Sequence, residues 1–93
     1  MLAIEQYGAG PYATMHLADL GAEVIKIERP GIGDPFRQFG LGNSAQGYSH
    51  NFCAFNRNKR SLSLDVTTPA GAAAFRRLAR QADVVLENFR PGV

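Results

Sequence analysis

The chain has 93 residues, 45% of them hydrophobic and 19% charged, a balance that suits a folded globular domain and excludes a disordered one. A formal charge of +2 with no basic stripe interleaved with aromatics gives no support for nucleic acid as a partner. No apolar run approaches the ~18–20 residues of a membrane span, and no charged segment leads into a signal-like core.

Leu2-Ala3-Ile4-Glu5 reads as a short first strand. Gly8 and Gly10 make a tight turn, and Pro11 suits the first turn of a helix, where its missing N–H costs nothing. From Tyr12 to Leu20 the apolar residues Ala13, Leu17 and Leu20 follow helical spacing, with Met15 and Ala18 beside them. Gly21 fits a left-handed C-terminal cap. Val24-Ile25-Lys26-Ile27 follows as a strand ending at Glu28-Arg29-Pro30, which completes one βαβ unit.

Residues 31–50 are rich in Gly, Ser, Asn and Gln and are expected to form a long loop, with a turn of helix near Pro35–Phe39. Asn51–Phe55 is ambiguous between a short helix and a strand. Cys53 lies in its apolar run Phe52-Cys53-Ala54-Phe55 and is expected to be a buried, inert thiol. As the single cysteine it excludes a disulfide framework or a metal cluster within one chain. Ser61–Val66 alternates polar and apolar residues, as a half-buried strand does. Thr68-Pro69 opens a helix through Gln81, with Phe75 and Leu78 as core anchors and Arg76, Arg77 and Arg80 outside. Asp83-Val84-Val85-Leu86-Glu87 is the next strand. The order predicts an α/β fold: a Rossmann-like parallel sheet of βαβ units. A sheet in so small a piece buries only roughly 60–65% of its unfolded surface and is marginal alone.

Gly8-Ala9-Gly10-Pro11-Tyr12-Ala13 satisfies G-x-G-x-x-A after a strand, and Glu28 stands at the end of the second strand. On spacing alone this is a dinucleotide fingerprint: glycines for close backbone approach, a helix N-terminus for pyrophosphate, an acid for ribose hydroxyls. Pro11 removes one amide that could meet phosphate. The fingerprint also leaves two later runs unexplained, Asn56-Arg57-Asn58-Lys59-Arg60-Ser61-Leu62-Ser63-Leu64-Asp65 and Glu87-Asn88-Phe89-Arg90-Pro91-Gly92.

Those two runs, with Gly8-Ala9-Gly10-Pro11 and Ala18-Asp19-Leu20-Gly21-Ala22-Glu23-Val24-Ile25-Lys26-Ile27-Glu28-Arg29-Pro30 upstream, resemble the family III CoA-transferases, the superfamily of formyl-CoA transferase, carnitine CoA-transferase and α-methylacyl-CoA racemase. The resemblance runs over nearly the whole chain. It implies that residues 1–93 are the N-terminal, coenzyme A-binding portion of a larger domain.

Coenzyme A carries a 3′-phosphate and a diphosphate, so its site needs cations and amide donors. The resemblance sets Gly8 and Ala9 against the ligand, although both glycines of the turn also serve simple strand-to-helix packing. Arg29 matches a position that contacts the nucleotide end; its planar fork suits phosphate and stacks on adenine, with an ion pair to Glu28 or Asp34 as the alternative. Leu64, Asp65, Val66 and Thr67 match a segment that cradles adenine and ribose, Thr67 standing where a relative can carry lysine. Asn88, Phe89 and Arg90 match a contact segment at the end of the fourth strand, where glycine is known at the Arg90 position; Arg90-Pro91-Gly92 also has ordinary turn chemistry. Lys59 and Arg60 precede the third strand, at its opposite end, and are expected to make structural ion pairs or subunit contacts. His16 and His50 lack an oriented partner and are expected to be structural.

The family's chemistry, as the resemblance implies it, moves CoA from an acyl-CoA to a carboxylic acid acceptor through an aspartate that forms a mixed anhydride and then an enzyme–CoA thioester. That aspartate is expected tens of residues beyond Val93. Asp19, Asp34, Asp65 and Asp83 do not match it, so no residue of this chain is assigned a catalytic role and none a metal. The resemblance implies an interlocked homodimer of the full-length protein. With no span or signal-like segment a cytoplasmic location is the default expectation, and no nucleic acid or membrane partner is expected. An NAD-type module and a non-catalytic remnant stand as alternatives, and transferase is not separated from racemase. Met1-Leu2 falls within the first strand, and the isolated chain is expected to expose strand edges and to associate or dissolve poorly.

Overall fold

In the computed structural model, which describes residues 1–40 and 42–93, the chain order is β1 (Leu2–Ile4), α1 (Ala9–Asp19), β2 (Ile25–Glu28), a 3-10 turn (Pro35–Arg37), α2 (His50–Asn56), β3 (Arg60–Ser63), α3 (Pro69–Gln81) and β4 (Val85–Glu87). The strands form one parallel sheet in the order β3-β2-β1-β4. The α/β parallel architecture expected from the sequence is therefore present. Its order means that the chain first winds outward from β1 to β3 and then returns to the other side of β1. The reversal lies between β1 and β4, the place where open α/β sheets open a crevice.

The register sorts the side chains. Ala3 pairs with Lys26, and Lys26 with Ser61, so these share one face; Leu2, Ile4, Ile25, Ile27 and Leu62 share the other. Helices α1 and α2 cover the first face. Ala3, Ala18 and Val24 make an apolar nucleus there, with Met1 against it. Phe36 and Phe55 stack at 6.1 Å, and Tyr12 meets Phe55 edge-on at 5.9 Å, which fastens the 3-10 turn and α2 to α1. The return crossover from β3 to β4 runs the opposite way, so its right-handedness puts α3 on the second face. Phe75 of α3 meets the same space as Ile4 and Ile27 there.

Local chemistry explains the element ends. Gly21 has φ +101°, its N–H bonds the Ala18 carbonyl at 3.0 Å, and the Ala22 N–H bonds the Leu17 carbonyl at 3.0 Å. That pair of bonds is the Schellman cap that the sequence places at Gly21. The Ser49 hydroxyl caps α2 by accepting the Phe52 N–H at 3.1 Å, which decides the ambiguity over residues 51–55 in favour of helix. The Thr68 hydroxyl caps α3 in the same way, from the Gly71 N–H at 3.0 Å. The expected helical turn near Pro35 is a 3-10 turn opened by Asp34. Of the long loop at residues 31–50, residue 41 lies outside the described residues.

Four expectations are corrected. Helix α1 buries Gly10, Pro11, Thr14, Met15 and Ala18, while Ala13, Leu17 and Leu20 face outward, Leu20 at 85% exposure. Polar contact chose that face: the Thr14 hydroxyl donates to the carboxylate of Glu5 at 2.9 Å, beneath the helix. Cys53 is exposed, because α2 turns the neighbouring Phe52 inward and leaves the next side chain about 100° around the helix. Strand β3 ends at Ser63 rather than Val66, and β4 starts at Val85 rather than Asp83; β3 is exposed throughout. Phe75 and Leu78 are half-buried, since α3 covers the second face alone.

Candidate functional site

Register brings the strand exits into one row. Ile4 lies beside both Ile27 and Glu87, and Glu28 beside Ser63. The residues that follow, Leu64-Asp65 from β3, Arg29 from β2, Glu5-Gln6 from β1 and Asn88-Phe89 from β4, therefore leave the sheet along a single carboxyl edge. The Leu64 N–H bonds the Glu28 carbonyl at 2.9 Å, which carries the alignment one step past the strands.

Along this edge, on the α3 side, lies an open cavity of about 1060 Å³. Its volume is on the scale of small-molecule sites. Arg29, the whole run Leu64-Asp65-Val66-Thr67, Phe89 and Arg90 line it, over a floor of Ile4, Ile27 and Phe75. Three segments that are remote in sequence thus converge on one space. Gly8, Ala9 and Asn88 lie outside that wall. The Asn88 amide is a brace instead: its Oδ1 accepts the Gln6 N–H and its Nδ2 donates to the Gln6 carbonyl, both at 2.9 Å. A Cβ on Gly10 would stand 2.8 Å from Asn88 Cγ, so Gly10 makes room for that brace. Gly8 has open space where its Cβ would be.

The charges on the wall are set by their neighbours. Arg29 is exposed and makes no ion pair among the described residues. The two acids that could have held it are engaged elsewhere, Glu28 with Arg37 and Asp34 with Lys26. Asp65 closes a turn, its Oδ1 accepting the Thr67 hydroxyl at 2.6 Å and the Thr67 N–H at 3.0 Å. These two bonds hold the Asp65 carboxyl below the usual range, with burial opposing them and Arg29 assisting. The Glu87 carboxylate accepts the Phe89 N–H at 2.9 Å and steadies the last segment of the wall. The result is a cleft with an apolar floor, two arginines at its rim and loop amides beside them. It can take a ligand that combines anionic groups with a flat or apolar body.

Beneath the edge, on the α1 side, sits a charged network that no sequence motif announced. Lys26, Glu5 and Asp34 are among the most deeply buried side chains. Lys26 Nζ lies 2.7 Å from Asp34 Oδ2 and 3.6 Å from Glu5 Oε1. Lys59 reaches the same Glu5 oxygen at 2.8 Å and also donates to the Pro11 carbonyl at 2.8 Å. Burial lowers the Lys59 ammonium below its usual value, with Glu5 pulling the other way. A second cluster joins Glu28 to Arg37 through two bonds of 2.7 and 2.8 Å, with the Ser61 hydroxyl and the Asp34 N–H adding 2.8 and 3.0 Å contacts. The Arg37 guanidinium also lies over the Phe52 ring at 4.0 Å. Each cluster pairs its charges, and no buried side-chain donor or acceptor among the described residues lacks a partner.

Lys59 and Arg60 form the structural ion pairs expected of them, Arg60 with Glu23 at 2.6 Å on the surface. The available signal for the buried network was the strand Val24–Glu28, where Lys26 and Glu28 alternate with Ile25 and Ile27. Alternation said that two charges share a face. It did not say that the face is covered.

The same geometry bears on the dinucleotide fingerprint. The Glu28 carboxylate is occupied by Arg37, Ser61 and the Asp34 amide. It has no oxygen free for a ribose.

Comparison with known proteins gives a consistent set of relatives. The family model for CoA-transferase family III matches residues 1–93. A succinyl-CoA–D-citramalate CoA-transferase of Chloroflexus aurantiacus is 46% identical over 92 residues, covering 99% of this chain and 23% of the relative. A succinyl-CoA:glutarate CoA-transferase of Mus musculus is 48% identical over 86 residues, covering 90% of this chain and 19% of its own length. Among solved structures, a CAIB/BAIF family protein from Brucella suis superposes with a TM-score of 0.82 at 41% identity, over 99% of this chain and 25% of that one. The chain spans about a quarter or less of the length of these relatives.

Proposed function

The chain belongs to CoA-transferase family III, and from that premise we propose that residues 1–93 supply the coenzyme A-binding portion of an acyl-CoA:carboxylate CoA-transferase. The observation that carries the reading is the convergence of Arg29, Leu64–Thr67 and Phe89–Arg90 on one cavity at the carboxyl edge of the sheet. Arg29 and Arg90 take the phosphates, the Asp65–Thr67 turn borders adenine and ribose, and Phe89 walls the pantetheine arm. Gly8-Ala9, at the start of α1, faces the ligand from the β1 side of the row, and Asn88 serves by holding Gln6.

The donor in this reading is an acyl-CoA and the acceptor a carboxylic acid. The relatives are described as using succinyl-CoA with citramalate or glutarate, which supports small dicarboxylates as the substrate class. The reaction passes through a carboxylate nucleophile: it attacks the thioester carbonyl and expels CoA thiolate, leaving a mixed anhydride. The thiolate attacks the enzyme-side carbonyl, which gives an enzyme–CoA thioester and releases the donor carboxylate. The acceptor carboxylate then runs the two steps in reverse, leaves as acyl-CoA and frees the enzyme carboxylate. Three of the four aspartates here are already committed to structural contacts. Asp34 is buried against Lys26, Asp19 is held by Arg57 at 2.7 Å, and Asp65 closes its own turn. The nucleophile, as the family resemblance implies, is an aspartate of a segment outside these residues. An interlocked homodimer, as in the family resemblance, completes the proposal.

Titration calorimetry of the full-length protein with CoA tests it. Wild type binds, and Arg29→Ala weakens binding roughly tenfold, the loss of one charge-assisted contact worth ~1.5 kcal/mol. Equal affinity of the two proteins would remove Arg29 from the site, and binding of NADH in place of CoA would overturn the reading.

A further inference from the structure

Asp34 ties the loop after β1 to the loop after β2. Its Oδ1 accepts the Tyr7 N–H at 3.1 Å and the Phe36 N–H at 2.9 Å, while its Oδ2 accepts from Lys26 Nζ at 2.7 Å. The Asp34 side chain is 0% exposed and that of Lys26 2%. Lys26 Nζ also donates to the Glu5 carbonyl at 3.3 Å, so the pair grips the exit of β1 twice. On the other side, the Gly33 N–H bonds the Arg29 carbonyl at 2.8 Å and the Asp34 N–H bonds Glu28. The carboxylate thus stands between Tyr7, which leads into Gly8-Ala9, and the loop that begins with Arg29.

Tyr7 gives this contact a further purpose. Its φ is +62°, in the left-handed region that a bulky aromatic residue seldom adopts without support. The ring is half-exposed and touches Phe36 edge-on at 5.4 Å, so packing alone does not enclose it. Its N–H is held by Asp34.

We propose that the Lys26–Asp34 pair is a positioning device: it keeps Tyr7 left-handed and thereby sets Gly8-Ala9 and Arg29 at the spacing one ligand requires. The inference rests on the CoA reading of the cavity. A pair of apolar side chains would fill the same volume and is often no less stable than a buried ion pair. It could not accept an N–H from each of two loops, which is what the carboxylate does.

The test is CoA affinity and melting temperature in the full-length protein. Asp34→Ala should weaken CoA binding roughly tenfold or more, the scale of a small misplacement of binding groups. Adding Tyr7→Gly, which takes positive φ without steric cost, should recover several-fold of that loss while the melting temperature stays low. A merely structural pair would give no such split. If Asp34→Ala does not fold, Lys26→Met/Asp34→Asn against Lys26→Met/Asp34→Leu carries the same test. Asparagine keeps an oxygen for the two N–H groups and leucine keeps only volume, so the first should bind CoA more tightly. Equal affinity of those two double variants, or folded Asp34→Ala binding CoA like wild type, overturns the proposal. A wild type that binds no CoA overturns the reading of the cavity instead.

Discussion

Glu28 is the residue whose environment is most legible as energy. Burial by itself would push its carboxyl up; the Arg37 guanidinium, the Asp34 amide and the Ser61 hydroxyl outweigh that and hold it at about 2, against an ordinary 4.5. A carboxyl depressed on folding contributes stability that is present above its unfolded value and is lost as pH falls through the folded one. The contribution should therefore be complete above pH 4.5 and disappear toward pH 2, and it is on the order of 3 kcal/mol. Urea midpoints of wild type and Glu28→Gln, compared across that window, should converge as the pH drops. A constant difference would mean that the pair contributes through shape alone. At neutral pH the variant leaves the partly buried Arg37 without its partner, a loss on the order of 3 kcal/mol.

Among the elements, α3 shows how a helix start can serve a site. Thr68 caps it, and the Thr68 hydroxyl also donates to the Asp65 carbonyl at 2.9 Å, so the cap and the cavity wall are one structure. Gly71 is the buried residue of this first turn, and a Cβ there would be driven into the Asp65 carbonyl. Alanine ordinarily improves a helix position held by glycine by ~1 kcal/mol. Here the sign should reverse: Gly71→Ala is expected to lose ~1–3 kcal/mol as the Asp65–Thr67 turn is displaced. CoA affinity should fall with it. Thermal melts and calorimetry of this one variant check both, and a more stable protein with normal affinity would show that the turn yields freely.

At the scale of the molecule, the two faces of the sheet are finished differently. The α1–α2 face is covered over β1 and β2, with apolar packing at one end and paired charges at the other. The α3 face is open, with Val85 about half exposed and Leu62 at 36%. Strands β3 and β4 are the two edges of the sheet, each with unpaired backbone groups. Residues 1–93 expressed alone should therefore self-associate, seen as a sedimentation coefficient that rises with concentration. A sharp monomer across a wide concentration range would contradict this.

Periodicity, caps and turns are local, and the sequence alone determined them. It set the order of the four strands with α1 and α3 between them, the Gly21 cap, the start of α3 at Pro69 and the placement of Arg29 and Asn88–Arg90 just past their strands. Each depends on backbone chemistry within a few residues, as at Gly21, where only a positive φ completes the cap. The tertiary structure alone decided which face each element buries. Leu17 and Leu20 formed a reasonable inner stripe on paper, yet Thr14 went inward because Glu5, from another element, needed its hydroxyl. Lys26 and Asp34 likewise carry no local sign of burial, and the ion pair expected of Lys59 names no partner in the sequence. They are buried because their partners stand opposite them across sequence gaps of 8 to 54 residues, and desolvation is offset only when those partners meet in space.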